Sequence, residues 1–218
     1  MTRLLWDQAG ERTYETGVDR GVLFPMVNGT YTTGVPWNGL VGVTESPGGA
    51  EATPLYADNI KYLNLRSTET FGGTIEAYTY PDEFALCDGS AAPAIGMSIG
   101  QQNRAQFALC YRTKLGNDTE GEEFGYKIHI IYGATASPSE RAYKTVNDSP
   151  EAITFSWAID TTPVSITGFK PTALVTIDST TVTAPKLTLL EDALYGDDTA
   201  GVSSLLMPDA IVTLINGV

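Results

Sequence analysis

Hydrophobic and polar positions alternate most regularly between residues 125 and 163. In 125–133, GYKIHIIYG, Tyr126, Ile128, Ile130 and Tyr132 fall on one face, and Lys127 and His129 fall on the other. That period of two is what a pleated strand imposes on its side chains. Ser137-Pro138-Ser139 breaks the run. The next stretch, 140–148 (ERAYKTVND), is rich in β-branched and aromatic residues, and Asn147-Asp148-Ser149-Pro150 closes it with a dense turn signal, so it reads as a second strand. In 152–160, AITFSWAID, Ile153, Phe155, Trp157 and Ile159 point one way, while Thr154, Ser156, Ala158 and Asp160 point the other. Thr161-Thr162-Pro163 stops this third strand. The pattern predicts an antiparallel meander with one apolar and one polar face. Its aromatic stripe should be buried against a helix at 186–195 or against an opposing sheet.

Upstream, residues 1–16 form a polar arm carrying Trp6 and Tyr14, which reads either as a disordered or edge-pairing tail or as an arm that packs on a neighbouring subunit, and 18–24 reads as a strand ended by Pro25, with a turn at Asn28-Gly29. A second strand at 35–43 is interrupted by glycines. Residues 44–58, with Pro47, Gly48, Gly49, Ala50 and Pro54, read as a long loop, and loops of that length inside compact domains are usually functional or disordered. Strands follow at 60–67 and 73–81. Pro81 and two acids open a short helix that Asp88-Gly89 closes, and 90–100 is a small, Gly-rich connection. In 106–113 Phe107, Leu109 and Tyr111 share a face, and in 172–178 so do Ala173, Val175 and Ile177. Between 114 and 125 lies an acidic hairpin loop with Asp118, Glu120, Glu122 and Glu123. Pro185 opens a helix in which Leu187, Leu190 and Leu194 recur at helical spacing and Gly196 suits the C-terminal cap. Residues 207–217 read as a final helical turn or two.

Composition narrows the function. The chain has 218 residues, 13 Lys+Arg against 26 Asp+Glu and a formal charge of −13, which disfavours affinity for nucleic-acid phosphates. Its 22 Gly and 12 Pro fit a β-rich chain with many turns, and 42% hydrophobic content argues against disorder. The length suits one core, so a single domain is expected. No secretory signal or membrane span is legible, and Cys87 and Cys110 are therefore expected as free thiols in a protein made in a cytoplasm.

Four strings, 6–25 (WDQAGERTYETGVDRGVLFP), 75–90 (IEAYTYPDEFALCDGS), 100–121 (GQQNRAQFALCYRTKLGNDTEG) and 129–157 (HIIYGATASPSERAYKTVNDSPEAITFSW), resemble the major tail protein of long-tailed, non-contractile bacteriophages. The resemblance runs from about Trp6 to the last helix, and its specificity lies in the number, order and spacing of the strings. It implies an antiparallel β-sandwich or barrel of the phage tail tube type flanked by a short helix, with an N-terminal arm and a long loop reaching into adjoining subunits. It also implies a virion protein that forms stacked hexameric rings, the tail tube through which DNA is ejected. Such subunits assemble in the bacterial host cytoplasm and meet tail tip and tail terminator proteins. Some relatives carry an additional immunoglobulin-like domain after the tube domain, and none is expected here.

No constellation for catalysis stands out. His129 is the sole histidine and reads as a polar-face sheet residue, the two cysteines lack partners for a zinc site, and no phosphate-binding loop occurs. No cofactor, metal or catalytic residue is expected. The competing reading is a monomeric lectin- or adhesin-like β-sandwich, with calcium at 118–123. For self-assembly, the arm and loop point to Trp6, Tyr14, Pro47, Leu55 and Tyr56 as inter-subunit contacts. A channel that passes DNA without binding it needs an acidic wall, for which Glu76, Thr154, Ser156 and Asp160 are the candidates.

Overall fold

The computed structural model describes residues 3–146, 148, 151–197 and 201–217. Its strands in chain order are β1 (Thr13–Val27), β2 (Thr30–Tyr31), β3 (Val35–Pro36), β4 (Leu40–Gly49), β5 (Ala52–Ala57), β6 (Ile60–Arg66), β7 (Glu69–Ala77), β8 (Ala91–Ala94), β9 (Met97–Ile99), β10 (Phe107–Asn117), β11 (Gly121–Ala136), β12 (Phe155–Thr161) and β13 (Leu174–Asp178). The helices are α1 (Ala85–Asp88), entered through a 3-10 turn at Asp82–Phe84, then α2 (Ala184–Tyr195) and α3 (Pro208–Asn216). The chain is mainly β and antiparallel, with a few short helices around one large sheet.

That sheet runs β2-β1-β10-β11-β12-β7-β4 and forks at β11. One edge of β11 pairs with β10; the other is shared, with residues 127–131 taken by β13 and 134–136 by β12. Gly133 makes the fork. At φ +59 it bulges the strand, so that Ile131 opposes Leu109 while Ala134 opposes Phe107, and a Cβ at Gly133 would lie 2.3 Å from the Thr162 carbonyl oxygen. The bulge reverses which parity faces inward beyond it. Far from the fork, the sheet curls until Gly21 of β1 lies against Trp37 and Leu40, where a Cβ would come within 3.1 Å of the Leu40 side chain.

Both faces of the central strands are therefore covered. Leu23, Phe107, Leu109, Tyr111 and Ile131 face a core that Ile75, Ala77, Trp157 and Ile159 close from the other branch, with Trp37 and Phe84 between. Their neighbours Val22, Phe24, Ala108, Cys110, Ile128, Ile130, Tyr132 and Ile177 face a second core under α2 and α3, filled by Leu190, Leu194 and Ile211. The alternation expected over 126–132, at 107–111 and along α2 is thus present. The polar face expected opposite it is not, because the curled branch β12-β7-β4 covers that side and leaves His129 only 8% exposed.

Two further expectations are corrected. Residues 140–146 and 148 form no strand: the β11 edge that a meander strand would need is occupied by β13 and β12, and the remainder of 140–148 lies outside the described residues. Residues 44–58 are not a loop. Residues 44–49 and 52–57 lie in β4 and β5, which follow one another along one arm of a long hairpin whose other arm is β6 and β7; its turn at Asp58-Asn59 has φ +50 and +63, the left-handed pair that a two-residue hairpin turn demands. Residues 13–16 of the expected arm are strand, pairing with 114–117 of β10. Of the two alternatives for the aromatic stripe the opposing sheet holds: Trp157 is buried in the core it shares with β1 and β10, packed on Phe84, Trp37 and Tyr80 at ring separations of 5.1, 5.8 and 5.3 Å, while α2 lies on the far side of the sheet. Residues 90–100 hold the small β8–β9 hairpin, and α3 is nine residues long. Cys87 and Cys110 are free and buried, and burial pushes both thiols up to about 12.

Candidate assembly surface

Three features stand out where none of the described residues covers the surface. The first is the outer face of the β12-β7-β4 branch. Its register sets Ser156 beside Glu76, Ala158 beside Thr74 and Asp160 beside Gly72, and sets Gly42, Thr44 and Ser46 beside the same β7 residues. Because Ile75, Trp157 and Ile159 turn inward, all of these turn outward. Glu76 and Asp160 are exposed, and no lysine or arginine occurs in β4, β7 or β12. The face is thus built of small and hydroxylic residues carrying only negative charge. Three of the four wall candidates, Glu76, Ser156 and Asp160, share it; Thr154 is exposed just ahead of β12.

The second feature is the projecting hairpin. Pairing of β4 with β7 continues to Gly49 opposite Glu69, and β5 with β6 carries it on from Ala52 opposite Arg66 to Ala57 opposite Ile60. Every residue of β5 and β6 is exposed. Tyr56 at 70%, Ile60, Tyr62 and Leu65 present apolar surface with nothing of this chain on it, and two-stranded hairpins are marginal on their own. Leu55 and Tyr56 lie in this hairpin, whereas Pro47 lies near its base in β4. Ile60, Tyr62 and Leu65 were missed by the sequence reading, although their aromatic and β-branched character in 60–67 was visible.

The third is the N-terminal stretch. It turns back on the β10–β11 hairpin: the Gly10 N–H donates to Asp118 Oδ1 at 2.9 Å, and Tyr14 lies so close over Gly116 that a Cβ there would meet its ring. Leu4, Leu5 and Trp6 remain exposed, Trp6 at 74%. Tyr14 is half engaged within its own chain, so the structure groups Leu55 with Tyr56 but not with Trp6 or Tyr14. The acidic turn is internally satisfied, as Asn117 Oδ1 accepts from the Thr119 and Glu120 N–H groups. Among the described residues no group of three His, Cys, Asp or Glu side chains is placed to hold a metal.

A partly exposed polar network around the buried His129 ties the hairpin base to the sheet. Tyr111 donates its hydroxyl to Glu45 Oε1 at 2.6 Å, and Thr113 donates to Glu15 Oε1 at 2.5 Å. With its hydrogen committed, the Thr113 oxygen, 2.9 Å from His129 Nε2, accepts from the ring. Thr176 lies 3.4 Å from the other nitrogen, Nδ1. Lys127 donates to Glu15 Oε2 at 2.7 Å; burial opposes ionisation of Glu15, but Lys127 and Thr113 outweigh it and hold the carboxyl below its ordinary range. On the opposite face of the sheet, toward α2, Arg112 grips Asp19 with two bonds of 2.7 Å and depresses its pKa, and the guanidinium lies over the Tyr126 ring. Sequence spacing gave no hint that Glu15 and Glu45 would flank one histidine.

Comparison with known proteins adds little. No protein family and no curated protein matches the chain. A chain from an extracellular contractile injection system, the PVC sheath–tube complex in its extended state solved by cryo-electron microscopy, is similar at 11% identity and a TM-score of 0.32, over 73% of this chain and 88% of that one. That likeness is too slight to bear on function. The class established by the fold is a mainly β protein with one forked antiparallel sheet.

Proposed function

We propose that this chain is a non-catalytic structural subunit of a phage-type tail tube. Copies join into hexameric rings, the rings stack, and the acidic outer face of β12, β7 and β4 lines a channel that passes DNA into the host without holding it. Tail tip and tail terminator proteins would cap the tube, which belongs to the virion. The observation that carries this reading is the outer face itself. It spans three strands, bears Glu76 and Asp160 without a single base, and ends at a sheet edge that no described strand covers. A wall with basic clusters would retain duplex DNA through counterion release, whereas an acidic wall repels phosphate and lets it slide. The exposed apolar hairpin supports the same reading, since unguarded β surface invites association.

Size-exclusion chromatography with negative-stain microscopy tests it. Purified protein should form rings or tubes, and those tubes should not bind duplex DNA at low salt. Glu76→Lys with Asp160→Lys should impair DNA passage more than assembly. A protein that stays monomeric at every concentration, or tubes that bind DNA strongly, would overturn the proposal.

A further inference from the structure

Residues 140–146 pose a local contradiction. Their sequence, ERAYKTV, has strand character, yet they form no strand, and Tyr143 and Val146 are 72% and 78% exposed. The segment is nevertheless firmly placed at its start. The Ser137 N–H donates to the Ala158 carbonyl at 2.8 Å, which seats the chain on the open edge of β12. Arg141 then pairs with the buried Asp88 and lies over the rings of Tyr80 and Phe155, 5.5 and 5.7 Å from their centres. Removing Arg141 would leave a buried carboxylate uncompensated, so this anchor is costly to release.

At the opposite side of the same branch, the outer edge of β4 has its own vacancy. Leu40 rests against Gly21 of β1, but among the described residues β4 pairs from 42 to 46 only with β7. Pro47, which has no N–H, ends the stretch able to accept a strand. Charge is compatible as well: β4 and β7 carry Glu45, Glu69 and Glu76 with no base, while 142–146 brings Lys144 and no acid.

We infer that residues 142–146 of one copy become a strand by pairing with residues 42–46 of a second copy. The inference rests on the self-assembling reading above and specifies its interface. Donor segment and acceptor edge lie on opposite sides of one three-stranded branch, so the contact is head to tail, the kind that closes rings when the rotation permits. It also accounts for the strand-like pattern, because the pairing partner of 142–146 is absent from the single chain. Backbone pairing to an exposed edge requires only that the incoming segment be extended and have free N–H groups.

The double variant Lys144→Pro, Thr145→Pro tests this, since it leaves Arg141 and its neighbours untouched. Adjacent residues of a strand direct their N–H groups to opposite sides, so one of the two prolines must block the ladder whichever edge is used. Since neither residue is in a strand of the single chain, the variant should melt as wild type does and lose assembly at least tenfold. Cysteine pairs give a second measurement: Lys144→Cys combined in turn with Gly42→Cys, Thr44→Cys or Ser46→Cys should yield covalent oligomers on oxidation in at least one register, with native Cys87 and Cys110 buried. Wild-type assembly by the proline variant, or assembled particles without cross-links in any pair, would overturn the inference and leave self-assembly standing. Failure of the wild-type protein to assemble would overturn both.

Discussion

Tyr111 lies flat on His129, with ring centres 4.8 Å apart and planes 4° from parallel, and its hydroxyl reaches across the core to Glu45. One side chain thus binds β10 to β11 by stacking and to β4 by a hydrogen bond. Tyr111→Phe keeps the stack and removes the bond. Hydrogen bonds to charged groups contribute roughly 1.5–3 kcal/mol, and partial exposure of Glu45 sets the expectation at the lower end, about 1.5 kcal/mol. The denaturant midpoint should fall by that amount with an unchanged slope, and amide exchange should accelerate in β4 before it does in β10.

Trp157 is buried among Phe84, Trp37 and Tyr80, whereas Phe155, next in the same stripe, is only half-buried. Trp157→Ala should cost roughly 3–5 kcal/mol and Phe155→Ala about half as much. Equal midpoints for Trp157→Ala and wild type in urea would show that the stripe faces away from the core.

Asp19 supplies a pH dependence. The bonds from Arg112 hold its folded pKa below the ordinary aspartate value of about 3.9. A depressed carboxyl contributes stability that is fully present above the unfolded value and is lost as pH falls through the folded one. Asp19→Asn should therefore lower the midpoint at pH 6 to 7, and the gap from wild type should narrow below about pH 4. Urea melts at pH 7 and pH 3 check the sign; a gap that widens in acid would refute it.

Gly133 combines a positive φ with a 2.3 Å approach of its virtual Cβ to Thr162. Alanine there must either clash or unbulge β11, which would turn Ala134 and Ala136 out of the core. Gly133→Ala should destabilise by more than about 1 kcal/mol, measured by thermal melting. Gly17→Ala, at another positive φ but with nothing near its Cβ, should cost less.

Excising the outer hairpin separates folding from assembly. Replacing 50–67 with a two-residue Asn-Gly turn removes β5 and β6, none of which is buried, and keeps the β4–β7 ladder. The expected product is a monomer with wild-type melting that forms no tubes. Removing residues 1–12 should likewise leave β1 paired with β10. Tube formation by both variants, seen by negative stain, would remove these segments from the interface.

Local periodicity determined a good deal by itself. The inward parity of Ile128, Ile130 and Tyr132, of Phe107, Leu109 and Tyr111, and of Trp157 with Ile159 is written in alternating side chains, because a pleat sorts neighbours to opposite faces wherever it lies. The helices at Pro185 and Pro208 were equally legible, since proline in the first turn and glycine after the last are local signals. The absence of bases around Glu76 and Asp160 could also be read directly.

Only the tertiary structure decided how strands share edges. Residues 140–146 have the composition of a strand, but β13 and β12 take the β11 edge that a meander would give them, and no described strand pairs with them. Prolines and glycines in 44–58 read as loop because composition reports turns and not the long ladder that β7 supplies from more than twenty residues away. The alternation could not show that His129 would be covered, because the branch that covers it folds back only beyond the Gly133 bulge. Hydrogen bonding along a strand needs a partner chosen by the whole sheet, whereas the direction of a side chain needs only its own backbone.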